Sequence, residues 1–296
     1  MIEDRRQNTE GVPKKSEIFW GRDDRIRYSM NTPRIIAVSS GKGGVGKTNF
    51  VANLALFYAS LNKRVIILDA DLGLSNIDVL LGIAPKYNLK HVLLGEKKIR
   101  EIIVTGPLGI MILPASSGIR DLTKLTDKQR LKLVSELDSF DIPFDIFLID
   151  TGAGISDNVL FFCSASQETI VVVTPEPTSI ADAYALIKVL SRDFQERHFR
   201  ILINTARSEK EAFDTFRKLA IVADKFLHLS LDYLGYLPFD QRVKDAIIAQ
   251  KGFIAMYPNS NFTKKLVGIG KKILDSPLNE VKGNIQFFLR KALRVG

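Results

Sequence analysis

Cysteine is all but missing from this chain of 296 residues: Cys163 stands alone, so no internal disulfide and no multi-thiolate metal cage can form. A secreted disulfide scaffold, a zinc ribbon and an intrachain iron–sulfur protein are thereby excluded. Long apolar runs are lacking too. None approaches bilayer length, and the opening Met1-Ile2-Glu3-Asp4-Arg5-Arg6-Gln7-Asn8 has no apolar stretch of the kind a secretory signal needs. The expectation is a cytoplasmic protein without a spanning helix. Acids are the minority charge, 33 against 42 Lys and Arg, and the resulting +9 favours anionic partners: nucleotide, nucleic acid or an acidic lipid surface. Net charge does not choose among them. There is no internal repeat and no low-complexity tract, and with 46% apolar and 25% charged residues wholesale disorder is excluded.

What is present is a series of short runs rich in Val, Ile and Leu without polar alternation, at 34–40, 65–69, 110–114, 144–150, 170–175, 199–204 and 233–238. Such runs predict strands buried on both faces. Helical patterns lie between them. Thr126 and Gln129 have capping-box spacing, Ser208 and Glu211 repeat it, and Ser179 is followed by Asp182 in a first turn. This alternation predicts an α/β fold, with a central, mostly parallel β-sheet flanked by helices on both faces. Residues 1–32 differ: charges are mixed, periodicity is weak, and Pro13 and Pro33 punctuate the segment, which reads as a flexible N-terminal tail. Within it Ile18, Phe19 and Trp20 form an apolar cluster that either docks on a partner or packs on the domain.

After the first predicted strand comes Gly41-Lys42-Gly43-Gly44-Val45-Gly46-Lys47-Thr48, which fits G-x-x-x-x-G-K-[ST] and leads into a predicted amphipathic helix over 49–61. Glycines let such a loop curl until backbone N–H groups converge on phosphates, and the helix N-terminus adds partial positive charge. Lys47 is then expected on the β- and γ-phosphates and the Thr48 hydroxyl on Mg²⁺. Farther on, Asp69 and Asp71 close the second strand, and an apolar strand ends in Asp150, the arrangement in which a carboxylate holds Mg²⁺ directly or through water.

Lys42 is an extra cation that the basic phosphate-loop pattern does not require. Lys-Gly-Gly-Val-Gly-Lys-Thr at 42–48 resembles the deviant Walker A motif of the MinD/ParA family, and the resemblance extends over 33–293. It implies a single P-loop NTPase domain of the SIMIBI type over 33–280, binding ATP or ADP with Mg²⁺ through 41–49 (Gly41, Lys42, Gly43, Gly44, Val45, Gly46, Lys47, Thr48 and Asn49). By the same resemblance Lys42 reaches the partner's phosphates in a nucleotide-sandwich homodimer and Asp71 orients the attacking water. Asp69 stands near the Mg²⁺ shell, and Asn204, Arg207, Pro238, Phe239 and Asp240 surround the base. Glu176 and Asp182 fall on the family's dimer-facing segment or are simply helix-start acids. Lys42, Lys47 and Asp71 are thus the expected catalytic set.

Within the family, the runs at 42–49, 68–82, 150–155 and 176–188 resemble the branch of flagellar-number regulators, FleN or FlhG. That branch implies a slow, partner-regulated ATPase cycling between ATP-bound dimer and ADP-bound monomer, restraining a flagellar transcriptional activator of the enhancer-binding type and the FlhF GTPase. The branch's short N-terminal Asp-Gln-Ala motif is absent here, which argues against a C-ring contact made through it.

The last residues, 281–296, carry no acid. On a helix, Ile285, Phe288, Leu289, Ala292 and Leu293 make one apolar stripe beside Arg290, Lys291 and Arg294. This suits either the interface of an anionic inner membrane or packing on the domain. The rival class is a ParA-type DNA-binding partition ATPase, consistent with the +9 charge, although the membrane-like helix argues against direct DNA binding. Metal-cluster carriers need more thiols than Cys163 supplies.

Overall fold

The structure, a computed structural model, describes residues 33–73, 76–115 and 124–277. In chain order the regular elements are β1 (Arg34–Ser40), α1 (Lys47–Ser60), β2 (Val65–Ala70), α2 (Ile77–Leu80), α3 (Leu89–Leu94), β3 (Val104–Thr105) and β4 (Met111–Leu113). They continue with α4 (Asp127–Asp138), β5 (Ile146–Ala153), α5 (Asp157–Ser164), β6 (Glu168–Val173), α6 (Pro177–Asp193) and β7 (Phe199–Ala206). The remainder is α7 (Glu209–Leu227), β8 (Asp232–Pro238), α8 (Arg242–Ile248), α9 (Phe253–Met256) and α10 (Asn261–Asp275). The eight strands form one sheet in the order β3-β4-β2-β5-β1-β6-β7-β8, parallel throughout except for the β3–β4 pair at one edge.

Strand alternation assigns each apolar side chain to one of two cores. Ile35, Ala37, Phe147, Ile149, Val171 and Ile201 face the layer of α3 to α7, while Ile36, Val38, Leu148, Ile170 and Leu202 face α1, α2 and α8 to α10. Burial on both faces explains the continuous apolar runs. All the long strands therefore deliver their carboxyl ends, and the loops that follow, to one pole.

Several expectations change. The helix after the phosphate loop is not amphipathic: from Phe50 to Ala59 every residue of α1 is buried. α1 is an inner helix, pressed between the sheet and α9–α10, and a Cβ on Gly252 or Gly270 would lie within 2.0 Å of Leu56 or 2.6 Å of Phe57. Ser179 does not start α6; the helix begins at Pro177 with Glu176 at its N-cap, and the buried Ser179 hydroxyl accepts from the Thr174 amide at 3.0 Å. Thr126 and Gln129 do form a reciprocal capping box. Ser208 caps α7 by accepting from Glu211, but the Glu211 carboxylate takes the Arg207 amide instead of returning to Ser208.

At the opposite pole, the amino ends of the strands, lies a buried ionic cluster that the sequence reading missed. Glu168 accepts from Arg34 at 2.6 Å and from Arg200 at 3.0 Å; Arg200 continues to Asp232 at 3.2 Å, and Arg34 donates to the Ser276 carbonyl just past α10. The predicted tail over 1–32 and the helix over 281–296 lie outside the described residues.

Candidate functional site

β1 ends at Ser40, and the chain turns through Gly41 to Gly46 before α1 begins at Lys47. Gly44 and Gly46 have φ of 77° and 87°, a left-handed backbone that glycine adopts without strain. Gly41 is required by contact: a Cβ there would lie 2.1 Å from the Asp182 carbonyl carbon of α6. The N-terminus of α1 has no side-chain cap and no acid in its first turn, so its free N–H groups point into the loop unsatisfied by side chains. An anion completes such an arrangement. A cleft of about 360 Å³ opens here, walled by the phosphate loop, Asp71, Asn76, Val79, Ala153 and Ile247.

The two lysines of the loop behave differently. Lys47 is buried and bonds Asp150 Oδ1 at 2.9 Å. Burial pushes the Asp150 carboxyl above its ordinary value, while the Lys47 charge and hydrogen bonds from Thr48 and Lys47 pull it back. Asp150 lies inside β5 and not at its end: the strand runs on to Ala153, and the Gly154 amide then donates to the Ser40 carbonyl, tying this loop to the phosphate loop. Lys42 sits on the rim, its side chain 38% exposed, bonded to Glu176 and at 3.2 Å to Thr178 at the start of α6. Asp182 is exposed one turn farther along α6, its backbone against Gly41.

Asp69 is fully buried and spends its oxygens on backbone: Oδ1 accepts from Asp71 N at 3.1 Å, Oδ2 from Asn76 N at 3.1 Å and Ile77 N at 3.3 Å. It braces the segment that carries Asp71. The Asp71 carboxylate reaches the neighbourhood of Gly152 and repels Asp150, which brings the two acids to one side of the cleft.

On the other side, buried Asn204 donates through Nδ2 to the Val45 carbonyl at 2.7 Å. Phe239 is 61% exposed beyond Pro238, and its amide donates to Ala206. Arg207 is exposed nearby. Asp240 is engaged by Arg242 through three donors, from Nη2 at 2.6 Å, Nε at 2.9 Å and the backbone N at 3.0 Å, and the Arg242 hydrogen bond holds its carboxyl below the ordinary value. Of the residues singled out in the sequence, Gly43 to Asn49 and Asp71 line the cleft itself, Asp150 and Asn204 bond residues of that loop, and Arg207, Phe239 and Asp240 stand on the loops after β7 and β8. The apolar stripe Ile285, Phe288, Leu289, Ala292 and Leu293, with Arg290, Lys291 and Arg294, lies outside the described residues. Asn76 and Val79 line the cleft from within the run 68–82, although neither was singled out as a site residue, and Ile247 lies in no motif.

A family model described as "ParA: NUBPL iron-transfer P-loop NTPase" matches residues 31–274. The chain is similar to the antiactivator FleN of Pseudomonas aeruginosa, 42% identical over 90% of this chain and 95% of that protein. It is similar to the flagellum site-determining protein YlxH of Helicobacter pylori, 32% identical over 88% of this chain and 90% of that protein. Its fold matches the septum site-determining protein MinD of Pyrococcus horikoshii, solved with Mg-ADP, at a TM-score of 0.67 and 23% identity, covering 82% of this chain and 96% of that one. Cys163 is fully buried, and among the described residues no group of three or more His, Cys, Asp or Glu side chains is gathered to hold a metal. Among the described residues no helix is long and apolar enough to cross a membrane.

Proposed function

The chain belongs to the ParA/MinD family of P-loop ATPases, and from that premise we propose that it is an ATP-driven dimerisation switch that regulates flagellar number and placement. The observation that carries the switch is the unequal treatment of the two loop lysines. Lys47 is buried on Asp150 and serves its own loop; Lys42 stands on the rim, turned to α6, where a second copy can present its phosphates. The flagellar role rests on the likeness to FleN and YlxH over nearly the full length of all three chains. In this reading the ATP-bound dimer restrains a transcriptional activator of the enhancer-binding type and the FlhF GTPase, and turnover is slow until a partner accelerates it. The segment 281–296 attaches the dimer peripherally to the inner face of an anionic membrane.

The residues present fit ATP with Mg²⁺: a bare glycine cradle, an uncapped helix N-terminus, and a lysine–carboxylate pair beside a threonine hydroxyl. Thr48 and Asp150 would hold Mg²⁺, with Asp69 behind them, and the ion would supply neutralisation of phosphate charge. Lys47 exchanges Asp150 for the phosphates, which frees the carboxylate. Asp71 accepts a hydrogen bond from the attacking water and orients it, in a position that Asp69 fixes through the backbone. Asn204 and Phe239 take the base.

Size-exclusion chromatography with ATP, beside phosphate-release assays, tests this reading. Asp71→Ala should bind ATP, hydrolyse it at least about a hundredfold more slowly and accumulate as a dimer. Lys42→Ala should remain monomeric. A monomeric Asp71→Ala protein, or an undiminished Lys42→Ala dimer, contradicts the sandwich.

A further inference from the structure

β7 carries an irregularity beside the base-side residues. Ile203 pairs with Tyr236 and Ala206 with Pro238, so Asn204 and Thr205 together face the single residue Leu237, a bulge in a parallel ladder. Inside it Thr205 has a φ of 59°. Glycine is the residue expected there, and for a β-branched side chain this backbone is strained. The Thr205 hydroxyl donates to its neighbour's carbonyl, Asn204 O, at 2.7 Å, a local bond that offsets part of that strain.

The bulge fixes three pieces at once. It turns Asn204 inward, where Nδ2 bonds the Val45 carbonyl and lies against Gly46 so closely that a Cβ there would be 2.3 Å away. It sets Ala206, whose carbonyl accepts from Phe239. The phosphate loop, the Asn204 amide and the Phe239 backbone are thereby tied to one strand end. With one amide hydrogen committed to Val45, Asn204 keeps Oδ1 and the second amide hydrogen. That is an acceptor and a donor, the complement of the amino group and N1 of adenine and the wrong match for hypoxanthine.

We propose that Thr205 is a positioning residue whose strained bulge aims the Asn204 amide and so sets discrimination between adenine and hypoxanthine nucleotides. The proposal rests on the nucleotide-binding reading and goes beyond it to the device that enforces base choice. Thr205→Val keeps the shape, loses the hydroxyl bond and favours an extended backbone; Thr205→Gly accepts the left-handed backbone freely.

Calorimetric titration of ADP and of IDP into the full chain, with thermal melts, decides the matter. The unaltered chain should prefer ADP. Thr205→Val should bring the ADP-to-IDP affinity ratio close to one, and Thr205→Ala supplies the same test where the valine variant fails to fold. Thr205→Gly should hold the ratio within about twofold of the unaltered chain and melt higher. A purely structural role would weaken both nucleotides by one factor and leave the ratio untouched. An unchanged ratio in both Thr205→Val and Thr205→Ala, or a lost ratio in Thr205→Gly, overturns the proposal while the nucleotide site stands. An unaltered chain that binds neither nucleotide overturns the site itself and this inference with it.

Discussion

Charge is buried at both poles of the sheet, and the poles differ in what is left over. At the amino ends of the strands Glu168 gives one oxygen to Arg34 and the other to Arg200, and each arginine finds a further partner, Ser276 or Asp232. Among the described residues, each charged group of this cluster has a partner. At the carboxyl ends Lys47 has Asp150, but the helix behind it is uncapped and the walls are glycine. A buried ion pair is weak evidence for function and often weak evidence for stability. The unspent hydrogen-bonding capacity around it is what separates a binding site from a clasp.

The comparison breaks most readily at Glu168. Glu168→Ala leaves the Arg34 guanidinium buried without an anion and Arg200 with only the more exposed Asp232, at a cost of about 3–5 kcal/mol. Urea titration should show that loss, while the ADP affinity of the folded protein stays as it was; a parallel fall in affinity would mean that the poles are coupled. Lys47→Ala should do the reverse. ADP affinity drops by about a hundredfold, the worth of one or two charge-assisted hydrogen bonds. Stability changes less than in Glu168→Ala, because the Asp150 carboxyl, already pushed up by burial, can take a proton once its cation is gone. Isothermal titration and a melt on one sample read both quantities.

The smallest effect belongs to Asp145, whose carboxyl is held below its ordinary 3.8, chiefly by the Arg64 hydrogen bond and against a desolvation cost. A depressed carboxyl contributes stability that is complete above its unfolded value and lost as pH falls through the folded one. Asp145→Asn should therefore cost less than about 1 kcal/mol at neutral pH, after solvent screening. The difference from the unaltered chain should close on acidification. A pH-independent difference would assign the loss to packing.

Much of this was legible in the residues. Burial on both faces writes a strand as an unbroken apolar run, so β1, β2 and β4 to β8 stood out, and the phosphate loop announced itself through glycine spacing. β3 did not, because its pairing rests on only Val104 and Thr105. α1 misled through Asn49, Asn53 and Tyr58, polar residues that suggested a wet face; Asn53 instead accepts from Ile254 N, and the Tyr58 hydroxyl bonds the Gly270 carbonyl. Glu168 lies just ahead of the apolar run at 170–175, in the two residues by which β6 starts earlier than that run. Its partners Arg34 and Arg200 are distant in sequence, and only the strand order makes them neighbours. Thr205 gave no signal, since a left-handed backbone at a threonine contradicts its own propensity.

The strand order also has a kinetic side. β1 sits in the middle of the sheet, yet both of its neighbours come late: Arg34 pairs with Ile146, roughly 110 positions onward, and Ile36 with Glu168, later still. At the usual pace of synthesis, about 5–20 residues per second, β1 waits roughly 6–22 seconds for its first partner. During that interval Ile35, Ile36, Ala37 and Val38, all destined for the interior, have no native ladder on either edge. Unpaired apolar strand edges of this kind are open to aggregation until the later strands are made. The phosphate loop hangs from that same strand, so a nucleotide site that includes Asp150 is complete only once β5 has been made.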